Sequence, residues 1–213
     1  MYKVQGKEKT VKELLDKTRY SIDYYQREYR WEEKNIQELL DDLASKFFES
    51  YQKGDERTDV EKYSRYYLGA IIVCERDGIK YIVDGQQRLT SLTLLLIYLN
   101  NLQKGKSQKV DITDLIFSEK YGKKTFNLNI EERLPVIEAL YEGKEYDVSD
   151  ERESIQNIWT RYQDIENEFP EDLKSDALPY FIDWLTDNVD LVKITAYKDE
   201  DAYLIFETMN DRG

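Results

Sequence analysis

The sequence predicts an α+β fold, and three observations carry that reading. Residues 68–85, LGAIIVCERDGIKYIVDG, read as two strands meeting at Asp77-Gly78, a pair that tolerates the positive φ values of a tight hairpin. The second strand runs straight into a leucine-rich helix from Gln86. Beyond Ser149, apolar residues recur at helical spacing before one more Val/Ile/Thr-rich strand at residues 189–196.

Taken in order, residues 11–17 read as a short helix. Residues 20–31, YSIDYYQREYRW, are extended and aromatic, with charges between the rings. Residues 31–52 fit a helix, because Ile36, Leu39, Leu40, Leu43 and Phe47 recur at helical intervals and Gly54 follows as a stop. After a polar linker comes the hairpin. In the helix that follows, Leu89, Leu92, Leu96 and Leu99 form one stripe with Leu95 and Leu102 beside it, so the helix is expected to lie against the sheet and end before Gly105. Residues 106–148 carry the weakest pattern, with a short strand at 125–130 and a short helix around 135–141. Residues 150–169 and 171–187 read as helices separated by Pro170, a residue that can begin a new helix. Residues 199–209 make a closing helix.

Composition bounds the function. The 213 residues are 40% hydrophobic, enough for one domain over 1–213 with a helical elaboration at about 131–188. Charged residues make up 35% of the chain and the net charge is -13, which repels polyanions at long range and weighs against non-specific DNA binding by this segment alone. A cluster of arginines inside a cleft can still hold one phosphate through short charge-assisted bonds. Cys74 is the single cysteine, so no intrachain disulfide can form, and a reducing cytoplasm is the simpler expectation. The start, MYKVQGKEKT, lacks the apolar run of a signal peptide, and the longest greasy stretch, residues 92–99, is far below the ~20 residues that span a bilayer. A soluble cytoplasmic protein with no membrane partner is expected. With no histidine in the chain, Ser-His triads, imidazole bases and His-ligated zinc are excluded within these residues.

Asp84-Gly85-Gln86-Gln87-Arg88 is the candidate catalytic cluster. A strand entering a helix through a tight turn gathers free backbone N–H groups, two amides and a guanidinium at one point, where a nucleotide phosphate can be held. A plainer reading is a capping box, with Asp84 as N-cap and Gln87 reaching back to it. That reading leaves Gln86 and Arg88 unexplained. If Asp84 caps the helix, its carboxylate also competes with a phosphate for the same N–H groups. Either the phosphate then sits at Arg88, or Asp84 turns away to hold a Mg²⁺ that the phosphate shares. In residues 25–31, YQREYRW, packing accounts for the rings, whereas Gln26 and Arg27 are candidates for the site because a buried guanidinium needs a partner. The third cluster, FETMNDRG at 206–213, supplies Asn210 and Arg212. It reads equally as a polar helix end with a glycine cap. A polar, turn-prone finish suggests that the polypeptide is a fragment of something longer.

YQREYRW, YLGAIIV, YIVDGQQRLTSLTLL and DAYLIFETMNDRG occur in the order and rough spacing of one family. They resemble the N-terminal domain of GmrSD-type, modification-dependent restriction enzymes, over about residues 20–213. The resemblance implies a small mixed sheet similar to the ParB and sulfiredoxin fold with helices added, nucleotide binding and hydrolysis, and an active-site signature at Asp84–Arg88. It also implies a C-terminal nuclease domain that these residues do not include. The chain departs from the family pattern before YQREYRW, where a proline is common and this sequence reads Ser21-Ile22-Asp23-Tyr24.

The expected function is an NTP-dependent effector domain that regulates DNA cleavage by a partner nuclease. Arg88, Gly85, Gln26, Arg27, Asn210 and Arg212 would bind nucleotide, and Asp84, Gln86, Gln87 and Arg88 would be catalytic, with Mg²⁺ on Asp84. One alternative is a non-catalytic module that reads modified DNA through the aromatic and arginine-rich stretch. A metal-dependent ParB-like nuclease is the other.

Overall fold

The computed structural model describes residues 4–22, 28–120 and 122–210, and of residues 120, 123 and 210 only the backbone. Five strands form a mixed sheet: β1 (Gln5–Thr10), β2 (Tyr20–Ile22), β3 (Tyr66–Arg76), β4 (Ile79–Asp84) and β7 (Val189–Ala196), in the order β1-β7-β3-β4-β2. β1 runs antiparallel to β7, β7 parallel to β3, β3 antiparallel to β4, and β4 parallel to β2. The α+β reading from sequence therefore holds. β5 (Phe117–Lys120) and β6 (Lys123–Phe126) form a separate antiparallel hairpin.

The turn between β3 and β4 follows its local chemistry. Asp77 and Gly78 take φ values of 52° and 75°, the double positive-φ geometry that an Asp-Gly pair tolerates best. β7 falls where the Val/Ile/Thr pattern puts it.

Helix α3 (Gln86–Leu102) leaves β4 through one glycine, and the residues from Leu89 to Leu99 are all buried. This corrects the expectation of a single leucine stripe against the sheet. The helix is buried on every side over this span because α6 (Glu153–Glu168), α5 (Leu134–Glu142) and the short α4 (Thr113–Ile116) pack around it. α2 (Glu33–Phe48) packs on α6 and on α7 (Leu178–Asp187), and α1 (Val11–Leu15) sits between α7 and the β1–β7 edge. These elements share the large core, which includes Phe47, Phe181 and Trp184. The opposite face of the sheet is covered by α8 (Asp199–Asn210), over a small cluster of Ile72, Cys74, Val83, Ala196 and Ala202.

Two further expectations are corrected. The single helix at 171–187 is instead a 3-10 turn (Glu171–Leu173) followed by α7, whose first turn holds Pro179. The strand expected at 125–130 is β6, shifted toward the N-terminus. Beyond it, Asn127 donates from Nδ2 to the carbonyls of Leu15 and Asp114, both at 2.8 Å, and locks this segment beside β2. Among the described residues no helix is long and apolar enough to cross a membrane.

Candidate functional site

The strand-to-helix corner sits where the sheet is irregular on both sides. The β3–β4 ladder shifts register between Ile72 and Val73, opposite Asp84, and the β3–β7 ladder shifts between Tyr67 and Gly69. Bulges of this kind re-aim side chains, and they recur beside functional sites.

Gly85, not Asp84, is the N-cap of α3. It adopts φ 88° and ψ 9°, and no side chain caps the helix. The capping-box reading is thereby overturned: Asp84 is the last residue of β4, and its carboxylate leaves the first-turn N–H groups of α3 alone. The competition between Asp84 and a phosphate for those groups disappears with it. Gly85 has a steric reason to be glycine as well, since a Cβ there would stand 2.6 Å from Ile71 Cγ2.

Beside this corner lies a cavity of about 1050 Å³. The β4–α3 turn supplies Asp84, Gly85, Gln86, Gln87 and Arg88, residues 28–31 supply a second wall, and the start of α6 supplies Arg152, Ser154 and Asn157. Val83, Glu132, Glu153 and Phe206 complete the lining. The N-cap of α6 is Arg152, again without a side-chain cap, so two helix starts bring free N–H groups and positive dipole ends to one cavity.

Three arginines reach the cavity and differ in their company. Arg30 pairs with Glu28, and Arg152 meets Glu132 Oε1 at 3.2 Å. Arg88 is half-buried and has no carboxylate partner among the described residues; its Nη1 donates to the Ala70 carbonyl at 2.8 Å. The guanidinium lies against Gly69, where a Cβ would come within 2.9 Å of Arg88 Cζ. Among the described residues, one of its five donors is engaged, fixing the side chain, which leaves the others for a ligand. Asp84 likewise receives no hydrogen bond or ion pair from a described side chain.

The two glutamines are used differently. Gln87 Nε2 donates to the Glu28 carbonyl, and its Oε1 accepts from the Arg30 N–H, each at 2.8 Å. Gln86 Oε1 is buried without a partner among the described residues. The first turn is braced from below, where the Thr90 hydroxyl donates to the Gln86 carbonyl at 2.8 Å and accepts from buried Arg133 Nη1 at 3.2 Å.

Tyr29 and Trp31 turn inward. Tyr29 is 1% exposed, its hydroxyl is 2.7 Å from Ser91 Oγ, and burial pushes its pKa up to about 12. Trp31 packs on the large core. The Tyr29 ring is not free to stack on a base, whereas Trp31 is partly exposed and lines the cavity.

The structure thus brings together Asp84, Gly85, Gln86, Gln87 and Arg88. Gln26, Arg27 and Arg212 lie outside the described residues, as does the side chain of Asn210. Sequence reasoning missed Arg152, Ser154, Asn157 and Glu132, all in the stretch assigned to a helical elaboration. Among the described residues no three cysteine, aspartate or glutamate side chains gather as a protein-built metal site requires.

Fold and cavity define an α+β domain with a cavity at a strand-to-helix corner, served by two helix starts without side-chain caps and by an arginine that has no carboxylate partner among the described residues. Residues 11–213 match the model of the family described as GmrSD restriction endonuclease, N-terminal domain. The chain belongs to that family, which sets it in a DNA-restriction context with a nuclease partner. No curated protein matches the chain.

Proposed function

We propose that this domain binds and hydrolyses a nucleoside triphosphate in the α3 cavity, and that nucleotide turnover regulates DNA cleavage by the nuclease of its restriction system. The observation that carries the reading is Arg88, a half-buried guanidinium with one carbonyl partner and, among the described residues, no carboxylate. A buried cation without a counter-charge is costly, and a phosphate would supply that charge.

In this reading, Arg88 and the N–H groups of the first α3 turn hold phosphate oxygens. Asp84, free of any capping duty, offers its carboxylate to Mg²⁺. Magnesium commonly takes one or two protein carboxylates and completes its shell with phosphate and water, so a lone Asp84 fits that role. Bound there, the ion would neutralise charge on the phosphates. Among the described residues, Gln86 is the glutamine with an acceptor to spare, and turning its Oε1 toward the cavity would let it orient the attacking water. Phosphoryl transfer asks mainly for such positioning and electrostatic stabilisation. Gln26, Arg27, Asn210 and Arg212 remain part of the proposed nucleotide wall on the strength of the family resemblance.

Titration calorimetry with Mg²⁺ and each of the four common NTPs, beside a phosphate-release assay, tests the reading. Wild type should bind at least one nucleotide. Arg88→Ala should lose that binding while its circular dichroism spectrum is retained, and Arg88→Lys should recover only part of it, because a lysine lacks the planar fork. Unchanged affinity in Arg88→Ala would remove the proposal's foundation.

A further inference from the structure

Residues 28–30 belong to no helix or strand, yet their backbone is held from both sides. From α3, the two ends of the Gln87 amide take the Glu28 carbonyl and the Arg30 N–H, as a neighbouring strand would. From α6, Ser154 Oγ accepts from the Tyr29 N–H at 3.0 Å, and Asn157 Nδ2 donates to the Tyr29 carbonyl at 2.9 Å. Four consecutive backbone groups, from the Glu28 carbonyl to the Arg30 N–H, are therefore each satisfied by a side chain. The hydrogen bonds that secondary structure would normally supply come here from two distant helices.

We propose that Gln87 and Asn157 are positioning residues: acting from α3 and α6, they clamp residues 28–30 in place as a wall of the cavity, and neither touches the reacting atoms. A glutamine whose donor and acceptor are both engaged must break two hydrogen bonds before it can orient a water. Of the two adjacent glutamines, one is thus a fastener and the other is left for chemistry. The consequence for ligand binding rests on the nucleotide reading above, whereas the clamp itself does not.

Amide hydrogen exchange on the full chain, with and without nucleotide, separates the two. In Gln87→Met the Arg30 N–H loses its acceptor and should exchange roughly 2- to 10-fold faster. In Gln87→Glu an acceptor remains, so Arg30 should keep its protection while the donor to Glu28 is lost. Asn157→Leu should speed exchange at residues 28–30 without altering the sheet. For hydrolysis, the clamp predicts a raised KM with kcat retained at saturation in both Gln87→Met and Asn157→Leu. A kcat that falls with KM and exchange unchanged would make Gln87 catalytic and overturn the proposal, as would unaltered Arg30 exchange in Gln87→Met. Should wild type bind no nucleotide, the functional reading fails while the exchange pattern still decides the clamp.

Discussion

The guanidinium of Arg88 occupies the space that a side chain at residue 69 would fill. Gly69 takes φ 120°, in a ladder that shifts register beside it, and a Cβ there would stand 2.9, 3.1 and 3.2 Å from Arg88 Cζ, Nη2 and Nη1. YLGAIIV and DGQQR are thus two halves of one feature: the glycine of the strand makes room for the arginine of the helix. Gly69→Ala should displace the guanidinium, weaken nucleotide binding by about tenfold or more, and cost ~1–3 kcal/mol of stability through the strained φ. Calorimetry and urea unfolding on the same preparation check both parts. Full affinity in this variant would mean that the seat on Gly69 does not set the position of Arg88.

Gly85 makes a stricter demand. Besides its positive φ, a Cβ would lie 2.6 Å from Ile71 Cγ2 and 3.3 Å from the Ala70 carbonyl oxygen. Neither neighbour can retreat, since Ile71 is fully buried and Ala70 is held in the β3–β7 ladder. Gly85→Ala should therefore destabilise the fold by more than Gly69→Ala does, whose obstacle is the far end of a flexible side chain. Thermal unfolding of the two variants side by side gives the ranking.

The parts of this fold that were legible in the sequence are those set by local chemistry. Asp77-Gly78 announced its hairpin, β7 its β-branched run, and Gln86 the start of α3. What was not legible depended on distant partners. The leucines of α3 suggest one stripe, but α4, α5 and α6 cover its remaining faces, which no local pattern reports. Asp84 has the composition of an N-cap, and the sequence alone does not say that the turn closes one residue later, on Gly85. At the site, Arg88 and Gln86 stood out because an ordinary cap leaves them without a role. Ser154 and Asn157 did not, because a polar residue on a helix face looks the same whether it meets water or the backbone of Tyr29. Gly69 did carry a usable signal, since an isolated glycine in a strand often marks a close approach.

Asp84 gives a discriminating substitution. Because it ends β4 and caps nothing, Asp84→Asn should change the unfolding free energy by less than ~0.5 kcal/mol, the range of substitutions away from special features. If its carboxylate holds Mg²⁺, the same variant should lose metal-dependent phosphate release by about 100-fold or more while still binding nucleotide through Arg88. Phosphate release at the wild-type rate would take Asp84 out of the chemistry.

Stability should fall at alkaline pH, and buried tyrosines give the reason. Burial pushes the pKa of Tyr29 up to about 12, against opposing contributions from Ser91, Arg161 and Arg133, and burial likewise raises Tyr98 to about 12. Tyr20 and Tyr63 are raised further in the same direction, first by burial. A tyrosine in the unfolded chain ionises near ~10. Below that pH both states keep the proton, and the stabilisation is fully present. Between about 10 and 12 the unfolded chain releases protons that the folded chain retains, so unfolding becomes progressively easier as pH rises. Urea midpoints measured from pH 8 to pH 11.5 should be flat at first and then decline. Tyr29→Phe should lower the midpoint at pH 8, because the bond to Ser91 is lost, and should make the alkaline decline shallower, because one of the titrating groups is gone. An equal decline in wild type and Tyr29→Phe would show that Tyr29 is not held neutral by the fold.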